Sequence, residues 1–293
     1  MKIGVLGGSG LYDMNGLSDV KEVTVETPFG DPSDAYICGV IDGVDVAFLP
    51  RHARGHTLLP AEINHKANIW GFKHLGVDRV ISVSAVGSLR EEYRPRDIVL
   101  PDQYFDRTKG SLGHTFFGNG IAAHIAFADP TCADLRSRLE IVAGKTISSH
   151  SSSDSRVTSG GTYINMEGPA FSTRAESHFY RQMGFDIIGM TSLPEAKLCR
   201  EAELCYQGLS MVTDYDCWHE SHDDVSVDML IGHLTANSEL AKDILVQAIP
   251  EVARERSCSC SSALEYAIIT NRAQIPDGVK NDLSPIVGKY LAD

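Results

Sequence analysis

The feature that most limits how this chain can fold is a repeated one: a short apolar run that breaks abruptly into small or polar residues. Residues 2–6 run into Gly7-Gly8-Ser9-Gly10, and residues 44–49 into Pro50-Arg51-His52-Ala53-Arg54-Gly55-His56. Residues 79–83 lead to Ser84-Ala85-Val86-Gly87-Ser88, residues 186–190 to Thr191-Ser192, and residues 208–212 to Thr213-Asp214-Tyr215-Asp216. Apolar runs of that length, alternating with helical stretches, are the strands of a parallel or mixed sheet covered on both faces. An open sheet of this kind gathers its strand ends along one edge, where ligands bind. The expected fold class is therefore α/β, one domain over residues 1–293 with a central mixed β-sheet flanked by helices.

Between these runs, residues 20–25 and 35–39 read as antiparallel strands joined by a turn-rich segment, and Asp42-Gly43 signals a hairpin. Further strands are expected at 97–100 and 158–165. Helices are expected at 60–75, 130–142, 174–183, 194–204, 225–249 and 261–270. The loop 101–124 is Gly-rich and aromatic, and long enough to be a candidate functional loop. No internal repeat, low-complexity linker or charge block divides the chain.

The strand ends carry a consistent chemistry. A glycine-rich turn straight after a strand lets backbone N–H groups approach an anion, and Ser9 adds a hydroxyl. The spacing is not G-x-G-x-x-G, which argues against a dinucleotide site. Arg51, Arg54, His52 and His56 form a local basic cluster, with Arg suited to bidentate phosphate binding. His52 and His56 have a helical metal-ligand spacing, but no neighbouring acid or Cys completes a set. Asp214 and Asp216, two apart, share one side of an extended strand. Taken alone they read first as acids capping a helix. Held together at a buried strand end, one of them is pushed to keep a proton, and the pair then matches the N7 acceptor and N6 donor of adenine. Hydroxyls and an Arg-His pair around an anion, an acidic pair, Phe171 and Met190 together suit phosphate, a sugar and a purine. The implied reaction is glycosidic cleavage by inorganic phosphate.

The net charge of −13 argues against nucleic acid or an anionic membrane as a partner. No secretory signal opens the sequence and no apolar run reaches transmembrane length, so a cytoplasmic location is expected. None of the seven cysteines forms a C-x-x-C pair, which argues against a zinc ribbon. Cys258-Ser259-Cys260 stands apart, because cysteines so spaced can close a small strained ring of redox character.

The stretches VLGGSGLYD, TPFGDPSD, RHARGHTLLP, SAVGSLREE, INMEGPAFSTRAES, MTSLPEAKLCREAE and MVTDYDCWHE resemble the methylthioadenosine phosphorylases within the trimeric purine nucleoside phosphorylase family. The resemblance covers nearly the whole chain. It implies phosphorolysis of 5′-methylthioadenosine to adenine and 5-methylthioribose 1-phosphate, with phosphate as co-substrate and no metal or organic cofactor. The alternative is a phosphorylase for 6-oxopurine nucleosides or methylthioinosine, against which the two Asp speak. The resemblance also implies a homotrimer or dimer of trimers in which a neighbour completes each site. It assigns phosphate to Ser9, Arg51, His52, Ser84, Ala85 and Thr191. Met190 is expected at the ribose and Phe171 at the base. Thr213, Asp214 and Asp216 are expected at the purine edge, and Val227, Leu230 and a neighbour's His124 around the methylthio group. Asp214, Asp216 and His52 are the expected catalytic groups. Residues from about 251 onward form an extension beyond shorter members. Its C-x-C resembles that of thermophilic archaeal relatives, which are disulfide-bonded, and Cys132, Cys199 and Cys205 could pair in the same scheme. Free thiols are an equal alternative.

Overall fold

The computed structural model describes residues 1–8, 11, 13–150, 154–219 and 227–291, without the side chains of 111–112 and 227–231. Its strands are β1 (Lys2–Gly7), β2 (Leu17–Val23), β3 (Tyr36–Ile41), β4 (Val44–Pro50), β5 (Val77–Ser88), β6 (Ile98–Leu100), β7 (Gln103–Asp106), β8 (Val157–Ser159), β9 (Thr162–Asn165), β10 (Ile187–Gly189) and β11 (Cys205–Tyr215). Its helices are α1 (His65–His74), α2 (Ala133–Ser149), α3 (Arg174–Gln182), α4 (Ser192–Glu201), α5 (Val227–Val252), α6 (Asp277–Asp282) and α7 (Ser284–Leu291). Among the described residues no helix is long and apolar enough to cross a membrane.

All the strands belong to one mixed sheet, with the path β2-β3-β4-β1-β5-β10-β9-β7 and β11, β6 and β8 branching from β5. The hub is β5. It runs parallel to β1 through Ser82 and parallel to β11 along its length, and its last two residues pair antiparallel with β10. Period-two alternation splits its side chains between two cores. Ile81 and Val83 join Ile3 and Val5 beneath α2 and α5, whereas Val80 joins Leu6 beneath α1, α4 and α7; Val77 reaches that second core too, because the pairing with β1 shifts register between Val77 and Arg79. Each such fully buried side chain contributes about 1.5–3 kcal/mol.

Local rules explain where the elements depart from expectation. The helix expected at 60–75 is a 3-10 turn (Pro60–Glu62) followed by α1, because Asn64 caps a new start with its side chain accepting from Ala67 N–H at 3.1 Å. The strand expected at 158–165 is two strands, β8 and β9. Gly160 and Gly161, at φ +98° and +110°, turn the chain between them. The helix expected at 261–270 is absent: a 3-10 turn (Cys260–Ser262) gives way to turns and a β-bridge between Ala123 and Ile268. The loop at 101–124 contains β7 and a 3-10 turn at Ser111–His114. The segment after α5 packs back onto the body: Trp70 Nε1 donates to Asp282 O at 2.9 Å, and Lys289 and Tyr290 both reach Glu203.

Candidate active site

Four parallel strands and one helix enclose a cleft of about 440 Å³. Gly8 follows β1 and Arg51 and His52 follow β4, while Ser84 and Ala85 lie within β5 and Thr213 within β11. The third turn of α5 forms the lid, held to β11 where Asn237 Nδ2 donates to Val212 O at 2.9 Å. β1 and β4 end level, with Arg51 N–H donating to Gly7 O at 2.8 Å, while β5 runs on past them.

Arg51 does not face this cleft as an open fork. Its side chain is 3 % exposed and sits at 2.5 Å from Glu195 of α4 through Nε. Nη2 donates to Ser82 Oγ at 2.7 Å and Nη1 to Val83 O at 3.0 Å. Glu195, fully buried, also accepts from Ser82 Oγ at 2.6 Å and Tyr206 OH at 3.0 Å. Burial works against the Arg51 charge, but Glu195 outweighs it and holds the pKa above its ordinary value. Of five guanidinium hydrogens, only one on Nη1 lacks a partner among the described residues. Four of the five guanidinium hydrogens are thus engaged within the protein, and Arg51 lines the cleft as one half of an ion pair with Glu195. Arg54 is drawn away from the cleft altogether, pairing with Asp34 at 2.8 Å and Glu22 at 2.7 Å.

His52 is fixed by the loop after β4, which turns through two left-handed residues, Ala53 and His56. That turn stacks the two imidazoles with centroids 4.3 Å apart. His52 Nδ1 lies 2.8 Å from Leu58 O. A carbonyl only accepts, so Nδ1 carries the hydrogen and Nε2 of the neutral ring is an acceptor. Burial lowers the His52 pKa, and the positive charge of Arg51 adds to the effect. Ser84 Oγ, buried at the cleft wall, has no hydrogen-bond partner among the described residues.

The acidic pair stands further along β5. Pairing of β11 with β5 shifts register at Thr213, so that Val212 faces Val86 and Asp214 faces Gly87. The bulge and a bare glycine let both carboxylic acids gather there. A Cβ on Gly87 would lie 3.3 Å from Asp214 Oδ1 and 3.5 Å from Asp216 Cβ. Burial raises the Asp214 pKa first, and the charge of Asp216 raises it further. Burial raises Asp216 as well, against the pull of the Ser177 hydroxyl, and its Oδ2 has no partner among the described residues. Repulsion from Asp216, the cause anticipated from spacing, therefore acts on Asp214 only behind desolvation. Thr213 Oγ1 lies 2.6 Å from Asp214 Oδ2 and 3.2 Å from Val86 O. Thr213 has one hydroxyl hydrogen, and its donation to Asp214 Oδ2 works against the rise in the Asp214 pKa.

The other expected site residues are more dispersed. Thr191 is buried at the start of α4, one turn before Glu195, and is not among the cleft-lining residues. Met190 borders a second, smaller cleft with His65, His114 and Glu167, its sulfur pressed against Gly168. Phe171 is 80 % exposed. His124 is exposed on the strand-like segment bonded to Ala267 O at 2.9 Å. Ser9 lies outside the described residues. So do the side chains of Val227 and Leu230, whose backbone begins α5. Glu195, Ser82 and Gly87 organise the site but were not singled out from sequence. The one available signal for Glu195 was its place as an acid in the first turn of α4.

Comparison with known proteins gives a consistent result. The model of the phosphorylase superfamily matches residues 2–250. An S-methyl-5′-thioadenosine phosphorylase of Geobacter sulfurreducens is 58 % identical, over 99 % of this chain and 99 % of its own. The crystal structure of a methylthioadenosine phosphorylase from an antarctic soil metagenomic library has a TM-score of 0.91 at 44 % identity, covering 97 % of this chain and 98 % of its own. A Schistosoma mansoni methylthioadenosine phosphorylase, solved in complex with adenine, has a TM-score of 0.82 at 34 % identity, covering 90 % and 96 %.

Proposed function

Because the chain belongs to the phosphorylase superfamily, we propose that it cleaves 5′-methylthioadenosine with inorganic phosphate, giving adenine and 5-methylthioribose 1-phosphate. The observation that carries this reading is the pairing of two unlike sites on β5. An anion-sized end carries Ser84 and His52, and a carboxylic end carries Asp214 and Asp216 around Gly87. The naming of relatives as methylthioadenosine phosphorylases supports the same substrate.

In this reading protonated Asp214 donates to purine N7, and Asp216 accepts from the N6 amino group. The C1′–N9 bond breaks with its electron pair moving to the base, which takes the Asp214 proton; solvent restores it. A phosphate oxygen bonds to C1′ of the oxocarbenium-like sugar, and the phosphate charge stabilises that cation. Ser84 donates to the phosphate, as does Ser9 in the glycine-rich turn. His52 Nε2 accepts the phosphate's own proton as the oxygen attacks. Ala85 and Thr191 complete the phosphate end, Met190 the ribose, and Phe171, Val227, Leu230 and a neighbour's His124 the base and methylthio ends. No metal or organic cofactor takes part in the step.

Exposed Phe171, Phe179 and Met183 support a working form in which a second copy covers this side, as in a homotrimer or dimer of trimers. Sedimentation of the purified protein tests that. The cytoplasmic location and the absence of nucleic-acid or membrane partners go with the same reading.

The deciding assay follows adenine release from methylthioadenosine with and without phosphate. Release that depends on phosphate, with one sugar phosphate formed per adenine, is the expected result; equal release in its absence overturns the reading. The pH dependence adds a second test. His52 must be neutral, and its pKa is lowered; Asp214 must be protonated, and its pKa is raised. The two shifts move toward one another, so kcat/KM follows a bell. Loss of the Asp214 proton ends activity as pH rises, and Asp214→Asn abolishes that dependence, leaving only the rise due to His52.

A further inference from the structure

Away from the cleft, four cysteines that are scattered in sequence come together. The Sγ atoms of Cys132, Cys205, Cys258 and Cys260 all lie within 4.8 Å of one another, and those of Cys205 and Cys258 are 3.4 Å apart. Cys132 caps α2, Cys205 opens β11, and Cys258 and Cys260 flank the start of the 3-10 turn beyond α5. We propose that these four thiolates form a tetrahedral binding site for a single divalent metal ion, zinc by preference.

The dimensions favour one ion. Four sulfurs about 2.3 Å from a central zinc stand about 3.8 Å from each other along a tetrahedral edge, which agrees with the observed cluster. All seven cysteines are free thiols, so the Cys258–Cys260 bridge implied by family resemblance is not formed here, and Cys199 lies outside the group of four. An iron–sulfur cluster needs room for its bridging sulfides and holds its thiolates further apart.

The surroundings suit a doubly negative tetrathiolate. Cys132 Sγ accepts the Leu135 N–H at 3.5 Å at the N-terminus of α2, where the helix dipole stabilises a thiolate. The Arg256 guanidinium is hydrogen-bonded to Cys205. Cys132, Cys205 and Cys260 are buried, which shields the ion, and half-buried Cys258 gives it a way in. Binding exchanges four S–H protons for one metal ion and involves no change of oxidation state. The C-x-C pair with two partners far away in sequence is not a ribbon spacing.

The test uses the full-length protein purified under reducing conditions, reconstituted with zinc and gel-filtered. One zinc per chain is expected, and reconstitution with cobalt should give a thiolate charge-transfer band and the intense visible absorption of a tetrahedral ion. Cys258→Ser should weaken zinc binding by about 100-fold or more, at the upper end of what loss of a supporting group costs. Cys258→His, which keeps a zinc ligand, should retain the metal, and this keeps the test valid even if the Ser variant folds poorly. The proposal is overturned if the reduced, reconstituted protein retains no zinc. Cobalt without a thiolate band, or unchanged zinc affinity in Cys258→Ser, overturns it equally. Protein isolated without reductant that lacks titratable thiols in pairs, and stays metal-free after reduction and reconstitution, identifies the cluster as a disulfide site instead.

Discussion

Replacing Asp214 by Asn is expected to lower kcat/KM for methylthioadenosine by about 10²–10⁴-fold, the usual contribution of a positioned general acid. The amide keeps the shape of the side chain and can still accept from Thr213 Oγ1, 2.6 Å away in the parent. What it cannot do is deliver a proton to the departing purine. The same substitution changes which base is welcome. A 6-oxopurine presents an acceptor at position 6, and two carboxylic acids gathered at Gly87 repel it whenever either is ionised. With Asn at 214 one source of that repulsion is gone, and turnover of inosine should rise as turnover of methylthioadenosine falls. Steady-state kinetics on the two nucleosides decide it: a variant that loses both activities equally, or neither, removes Asp214 from the base-reading role.

The second large effect is expected at a residue that never touches substrate. Glu195→Gln leaves the Arg51 guanidinium buried without its counter-charge, and breaking a buried pair from one side costs about 3–5 kcal/mol. At the usual sensitivity of large domains this is a fall in Tm of roughly 10 °C. Arg51 would also be released from Val83 O and Ser82 Oγ, so the phosphate end loses its shape and the KM for phosphate rises. Pairing Arg51→Met with Glu195→Leu separates the two consequences. Removing both charges should restore much of the stability, while phosphate use stays impaired. Calorimetry and phosphate kinetics on the single and double variants check this, and a single variant that melts with the parent protein contradicts the role given to the pair.

Much of the fold was legible because it rests on local rules. Buried strands read as apolar runs, and Gly7-Gly8 and Arg51-His52 mark the ends of two of them; Ser84 and Thr213, which also read as strand ends, lie inside β5 and β11, because these strands run on to Ser88 and Tyr215. The gathering of Asp214 and Asp216 was also readable, since two acids two residues apart near the end of a buried strand are an unusual expense in desolvation. What could not be read depends on distant partners. Nothing near Arg51 in sequence announces that Glu195 will neutralise it from another helix. The bulge at Thr213 exists only in relation to β5. The turn at 260–270 has helical periodicity but is captured by a bridge to Ala123. The thiol cluster draws on three separate regions, each unremarkable alone.

One property of β5 reaches beyond catalysis. Ser84 and Gly87 are three residues apart on a single strand, so the two ends of the site are separated by about 10 Å of covalent backbone paired along β11. The strand acts as a fixed ruler. No hinge between domains can lengthen or shorten the distance between attacking phosphate and departing base, and thermal motion carries both ends together. Changes of substrate in such a frame can come only from what is attached at either mark, or from the walls that close over it. A substitution that alters the base read at Gly87 therefore leaves the phosphate end undisturbed, and the two specificities can drift independently while their separation stays constant.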